Sequence, residues 1–136
     1  MSKIKIIDIP IYNTSVCFFI GGTKEELDIL KEDNPHKIDQ EIYTQILTDI
    51  EQADKCDGFT IPLLDMSYLI YIRDGLEYNP RICIHEIFHV VNYTLTDRGV
   101  KHDETAEAWA YLIGWLTEEY YKFLNQEEEE ENGKDI

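Results

Sequence analysis

Positive charge is what this sequence has least of. Twelve Lys and Arg stand against twenty-eight Asp and Glu in 136 residues, a formal net charge of −16. Affinity for nucleic acid comes largely from Lys and Arg neutralising phosphates, so this balance argues against a nucleic-acid binder. It argues equally against docking on an anionic membrane surface. Long apolar runs are also missing, and nothing approaches the ~18 consecutive apolar residues of a membrane helix. The opening residues, MSKIKIIDIPIYN, alternate polar and apolar side chains without a continuous hydrophobic stretch, so neither a signal nor a transit peptide is expected. Cysteine is scarce. Cys17, Cys56 and Cys83 are odd in number, widely spaced and without a CxxC pair. A disulfide framework is therefore not expected, a reducing cytoplasm is the simplest compartment, and each cysteine reads as a small buried hydrophobe.

Apolar and aromatic residues are well represented: 43% of the chain is hydrophobic, with nine Tyr, five Phe and two Trp. That excludes a disordered chain. The length suits one domain, which buries roughly 65–70% of its unfolded surface. In so small a frame an active site is expected as a shallow groove.

Residues 3–9 alternate and read as a strand, and residues 14–20 as a second, more buried one. Gly21-Gly22 turns the chain. Thr23, with Glu25 and Glu26 behind it, opens a helix to about Asp33, where Asn34-Pro35 breaks it. Ile38, Ile42, Ile46 and Ile50 recur every four residues and predict an amphipathic helix from Lys37 to about Ala53. Residues 59–64 and 67–73 read as strands. Asn79 and Pro80 open a helix to about Thr96, with Gly99 ending the connection. Asp103 caps a last helix to about Asn125. Residues 1–126 form the expected domain, and residues 127–136, EEEEENGKDI, an acidic tail expected to be disordered. The expected class is α+β, a partly antiparallel sheet packed on helices.

The chemistry is carried by residues 85–89, His-Glu-Ile-Phe-His, an HExxH motif. On a helix, positions i and i+4 lie ~5–6 Å apart on one face, so His85 and His89 can converge on one ion. Zinc takes such nitrogens at ~2.0–2.1 Å in a tetrahedral site. Glu86, one step round the helix, can accept a proton from a water whose pKa the metal lowers toward ~7. A catalytic zinc site has a third protein ligand. Glu107 is the leading candidate, set among Ala106, Ala108 and Ala110, whose small side chains would let two helices approach. Glu104, His102 and Asp103 are the alternatives. Cys83 falls on the opposite helix face and reads as core, and Gly21-Gly22-Thr23-Lys24 reads as a turn. Tyr93 and Tyr111 read as packing residues.

HExxH followed by a helix end, a short Gly-containing turn and a Glu-bearing second helix resembles the gluzincin arrangement of zincin-like metallopeptidases. The chain more closely resembles small metallopeptidase-like proteins of tailed bacteriophages and prophages. Two segments carry that resemblance: Glu107-Ala108-Trp109-Ala110-Tyr111-Leu112-Ile113-Gly114-Trp115, and the early Phe18-Phe19-Ile20-Gly21-Gly22-Thr23-Lys24-Glu25-Glu26. It covers most of the chain except the acidic tail. Ala106 stands where larger gluzincins carry Asn. The resemblance implies a zinc-dependent hydrolase of peptide bonds, with metal on His85, His89 and Glu107 and Glu86 as general base. In such folds the strand before the HExxH helix borders the groove, and residues 67–73 are the expected edge. The expected partner is a peptide or protein substrate, in the cytoplasm of a bacterial host. Two other readings stand beside it: a non-catalytic zinc-binding structural or regulatory phage protein, and an acidic decoy that inhibits a host nucleic-acid enzyme.

Overall fold

The computed structural model describes residues 3–52, 56–101 and 106–134, with the backbone alone described from 127 onward. Eight elements follow in order: β1 (Lys3–Ile9), β2 (Thr14–Ile20), α1 (Lys24–Asp33), α2 (Gln40–Glu51), β3 (Gly58–Pro62), β4 (Tyr68–Ile72), α3 (Pro80–Asp97) and α4 (Ala106–Lys134). The class is α+β, with one four-stranded mixed sheet in the order β1-β2-β4-β3. β1 and β2 pair antiparallel, β2 and β4 parallel, and β3 and β4 antiparallel.

The central pair explains the layering. All five residues of β4 are buried, as are the last six of β2. A parallel pair this apolar must be covered on both faces. On one face Val16, Phe18 and Ile20 of β2 and Tyr68, Ile70 and Ile72 of β4 pack with α3 and α4, through Val90, Leu95, Leu116 and Tyr120 among others. On the other, Cys17, Phe19, Leu69 and Tyr71 pack with Leu27 and Leu30 of α1, Ile38, and Ile46 of α2. The result is helices, sheet, helices. Gly22 lies so close beneath Phe19 that a Cβ there would fall 2.0 Å from the ring.

Local signals set the helix starts. Thr23 and Glu26 form a reciprocal capping box at α1. Asp39 caps α2 by accepting from the Ile42 amide at 2.8 Å, so this helix begins three residues later than the periodicity suggests. Asn79 accepts from the Arg81 amide at 3.0 Å, and Pro80 opens α3. The expected Asp103 cap lies outside the described residues. α4 runs on to Lys134, past the expected end near Asn125, so the backbone of the acidic stretch through Lys134 is helical; its side chains, and residues 135–136, lie outside the described set. Among the described residues, no helix is long and apolar enough to cross a membrane.

One expectation is corrected by the pairing. Residues 67–73 do not form the edge: β4 lies between β2 and β3, and β3 is the end strand beside α3. β4 is apolar on both faces and needs a neighbour on each side. β3 ends in the exposed Pro62, which has no ladder donor and suits an edge.

Tyr120 fixes α4 to the entrance of α3. Its hydroxyl donates to the Glu77 carbonyl at 2.7 Å and lies 3.3 Å from the Cys83 sulfur, in a fully buried position where desolvation pushes its pKa far up. Tyr120→Phe keeps the ring but removes the donor. It is expected to lower unfolding stability by about 1–1.5 kcal/mol in urea denaturation.

Candidate metal centre

α3 carries the HExxH motif from its second turn onward. Its core face is formed by Cys83, Ile87, Val90, Val91, Thr94 and Leu95. With ~100° between successive residues, His85 and His89 fall on the side away from that face, and Glu86 falls at the border toward β3. His85 is exposed and His89 half-buried. Their rings meet edge to face, with centroids 4.7 Å apart and planes at 82°. The two Nε2 atoms are 3.2 Å apart. Two nitrogens each ~2.0–2.1 Å from one tetrahedral ion lie about 3.3–3.4 Å apart, so the pair is near the spacing of two ligands on one ion and is also within hydrogen-bond distance. Ligand atoms of His85, Glu86 and His89 all fall within 4.8 Å of one another, a group that could hold a metal ion.

Glu86 differs from the two histidines in being buried, at 6% exposure. One oxygen, Oε1, accepts from the Thr60 hydroxyl at 2.9 Å, and the same hydroxyl lies 3.2 Å from the Glu86 backbone carbonyl. Thr60 sits in the middle of β3, so the end strand holds the carboxylate in place. Gly58, at the start of β3, lets the strand lie close: a Cβ there would meet the Tyr71 carbonyl at 2.8 Å and the Glu86 side chain at 3.5 Å. A shallow cavity of about 280 Å³ opens between the two elements, lined by Asp57, Gly58, Arg81, Ile82, His85 and Glu86. This is the groove a small frame can offer.

The cysteines stay out of the site. Burial pushes the Cys56 thiol up, and Cys56 donates to the Gly58 carbonyl at 3.1 Å. Burial also raises Cys17, to about 12, and Cys83, both of which are core residues as expected. Tyr93 stacks on Tyr68 with centroids 5.8 Å apart, a packing role, while Tyr111 is 74% exposed on α4.

The expected third ligand does not join the group. Glu107 is exposed, and the metal-ligand cluster among the described residues contains only His85, Glu86 and His89. Helix phase gives the reason. α4 buries Trp109, Leu112, Leu116, Tyr120 and Phe123, and Glu107 stands about 200° from Trp109, on the outward side. Ala106 and Ala110 are exposed rather than packed against α3. The alternatives His102, Asp103 and Glu104 lie outside the described residues.

Sequence reasoning did not find Thr60. The available signal is a polar side chain on a strand between Phe59 and Ile61, which both turn to the opposite core.

No family model, curated protein or solved structure matches the chain. The functional reading therefore rests on the residues and their geometry.

Two substitutions test this description. Thr60→Val leaves a buried carboxylate oxygen without its donor and is expected to cost about 1–3 kcal/mol of stability, with Thr60→Ser restoring most of it in urea denaturation. Glu107→Ala, on the outward side of α4, is expected to leave both metal content by elemental analysis and stability unchanged, the latter within about 0.5 kcal/mol.

Proposed function

We propose that this chain is a zincin-like, zinc-dependent hydrolase of peptide bonds. The observation that carries the reading is the 3.2 Å separation of the His85 and His89 Nε2 atoms, with the Glu86 carboxylate beside them. A metal also fits the donor chemistry: two imidazoles and a buried carboxylate held by one hydroxyl leave negative charge in need of a cation. Bound zinc would supply a Lewis acid and lower the pKa of water toward ~7.

The residues then divide the work. His85 and His89 would hold the ion. Glu86 accepts a proton from the attacking water and delivers it to the leaving amine. Thr60 fixes the carboxylate through Oε1, leaving Oε2 for that exchange. β3, the end strand, offers an edge to which an extended peptide can add as a further strand across the groove. The partner on this reading is a peptide or an unstructured protein segment. The resemblance of the HExxH motif and the Glu107–Trp115 segment to phage-encoded metallopeptidase-like proteins points the same way.

A specific observation favours a second reading, a non-catalytic metal site. With Glu107 facing outward, Glu86 is the remaining donor of the described group, and as a ligand it would close the site instead of serving as base.

Glu86→Gln separates the two. Under the hydrolase reading the variant is expected to retain zinc by elemental analysis and to lose ~10²–10⁴-fold in cleavage of an unstructured protein substrate. His89→Ala is expected to lose the metal, and a chelator to abolish cleavage by the wild-type chain. Loss of zinc from Glu86→Gln would establish Glu86 as a ligand. Zinc in both proteins without cleavage by either would support the non-catalytic site.

A further inference from the structure

Arg81 lines the same groove as His85 and Glu86, one helical turn before the motif. It is exposed, and no hydrogen-bond or ion-pair partner for its guanidinium is found among the described residues. The two acids that line the groove with it are engaged elsewhere: Asp57 pairs with Arg73 at 3.0 Å, and Glu86 accepts from Thr60. Its position is also unfavourable for a cation. Arg81 lies in the first turn of α3, where the helix dipole favours negative charge, and that turn contains no acidic residue to offset it. In a chain with twelve basic residues against twenty-eight acidic ones, a cation in the groove wall without a partner among the described residues is a local charge inversion.

We propose that Arg81 is a specificity residue that binds a carboxylate of the substrate, so that the groove selects peptides bearing either an acidic side chain or a free C-terminus at the Arg81 end. The guanidinium fork matches a carboxylate in two parallel hydrogen bonds, the geometry that makes Arg the usual partner for this group. At ~5–6 Å between Cβ atoms, positions 81 and 85 are neighbours on one helix face, and both line the same groove. The net charge of −16 repels acidic peptides at long range, so the selection is a local one that survives at physiological salt, where the Debye length is ≈ 8 Å.

This inference rests on the groove being a peptide site, as the hydrolase reading has it, and its test separates the two. Three fluorescent peptides of one neutral core sequence are titrated against the full chain carrying Glu86→Gln, with and without zinc, by anisotropy at 0.15 M salt. One has an amidated C-terminus, one a free C-terminus, and one an internal Glu with an amidated C-terminus. At least one carboxylate peptide is expected to bind about tenfold more tightly than the neutral peptide in both metal states. Which one does so identifies the source of the carboxylate. Adding Arg81→Gln is expected to erase that preference while leaving the neutral peptide's affinity unchanged. Equal binding of all three peptides, binding of none, a preference seen only with zinc, or a preference that survives Arg81→Gln overturns the proposal. Cleavage of the same peptides by the wild-type chain is scored separately: an Arg81-dependent preference without cleavage sustains the carboxylate site and removes the hydrolase.

Discussion

The parallel pairing of β2 with β4 is the constraint on which the rest of the molecule depends. Those two strands carry apolar residues on both faces, and a parallel pair has no wet side. The chain must therefore supply helices above and below, and α1 and α2 take one face while α3 and α4 take the other. β4 also needs a partner on its far side, and the short strand β3 fills that place. α3 lies over the β3–β4 side of the sheet, so the face of α3 that is not needed for the core comes to the sheet's edge. That is where His85 and His89 emerge. The site is a consequence of how the core closes, with the motif placed where the helix leaves the sheet.

Burial of Glu86 is the second consequence. A carboxylate at 6% exposure loses most of its hydration, and the Thr60 hydroxyl returns only part of it. The stabilisation that a cation gives such a group is larger than on an open surface, because less water lies between the charges. The same arrangement fixes the carboxylate's direction, since Thr60 is held by the β3–β4 ladder on one side and by α3 on the other. A base that must exchange a proton with a small molecule gains from being held still. A surface Glu at the same sequence position would have neither property.

What the sequence makes legible is local. β1 and β2 match their expected limits because the alternation of the first and the apolar run of the second are each set within the strand. α1 and α3 begin where Thr23–Glu26 and Asn79–Pro80 place them, because capping is a matter of four adjacent residues. The His85–His89 pair is legible for the same reason, since i and i+4 share a face of any helix. Which strand becomes the edge is not local. β4 and β3 are both short and apolar, and only the parallel pairing of β4 with β2 decides between them. Thr60 is hidden for a related reason: a threonine in a strand announces nothing until a helix is laid across it.

The third ligand shows where a short motif stops being informative. The alanines around Glu107 suggest close helix packing, yet Ala is also the best helix former on an open surface, and Ala106 and Ala110 serve that second purpose here. The phase of α4 is set by its heavier residues. Trp109, Leu116, Tyr120 and Phe123 are buried together, and the Tyr120 hydroxyl bonded to the Glu77 carbonyl locks that orientation. Turning Glu107 toward His85 and His89 would rotate this stripe out of the core. Burying large apolar side chains contributes ≈ 1.5–3 kcal/mol each, so several of them outweigh a single coordinating carboxylate in deciding how the helix sits. The orientation of α4 is therefore dictated by its packing, and any metal at His85 and His89 must take the rest of its coordination from what that packing leaves within reach.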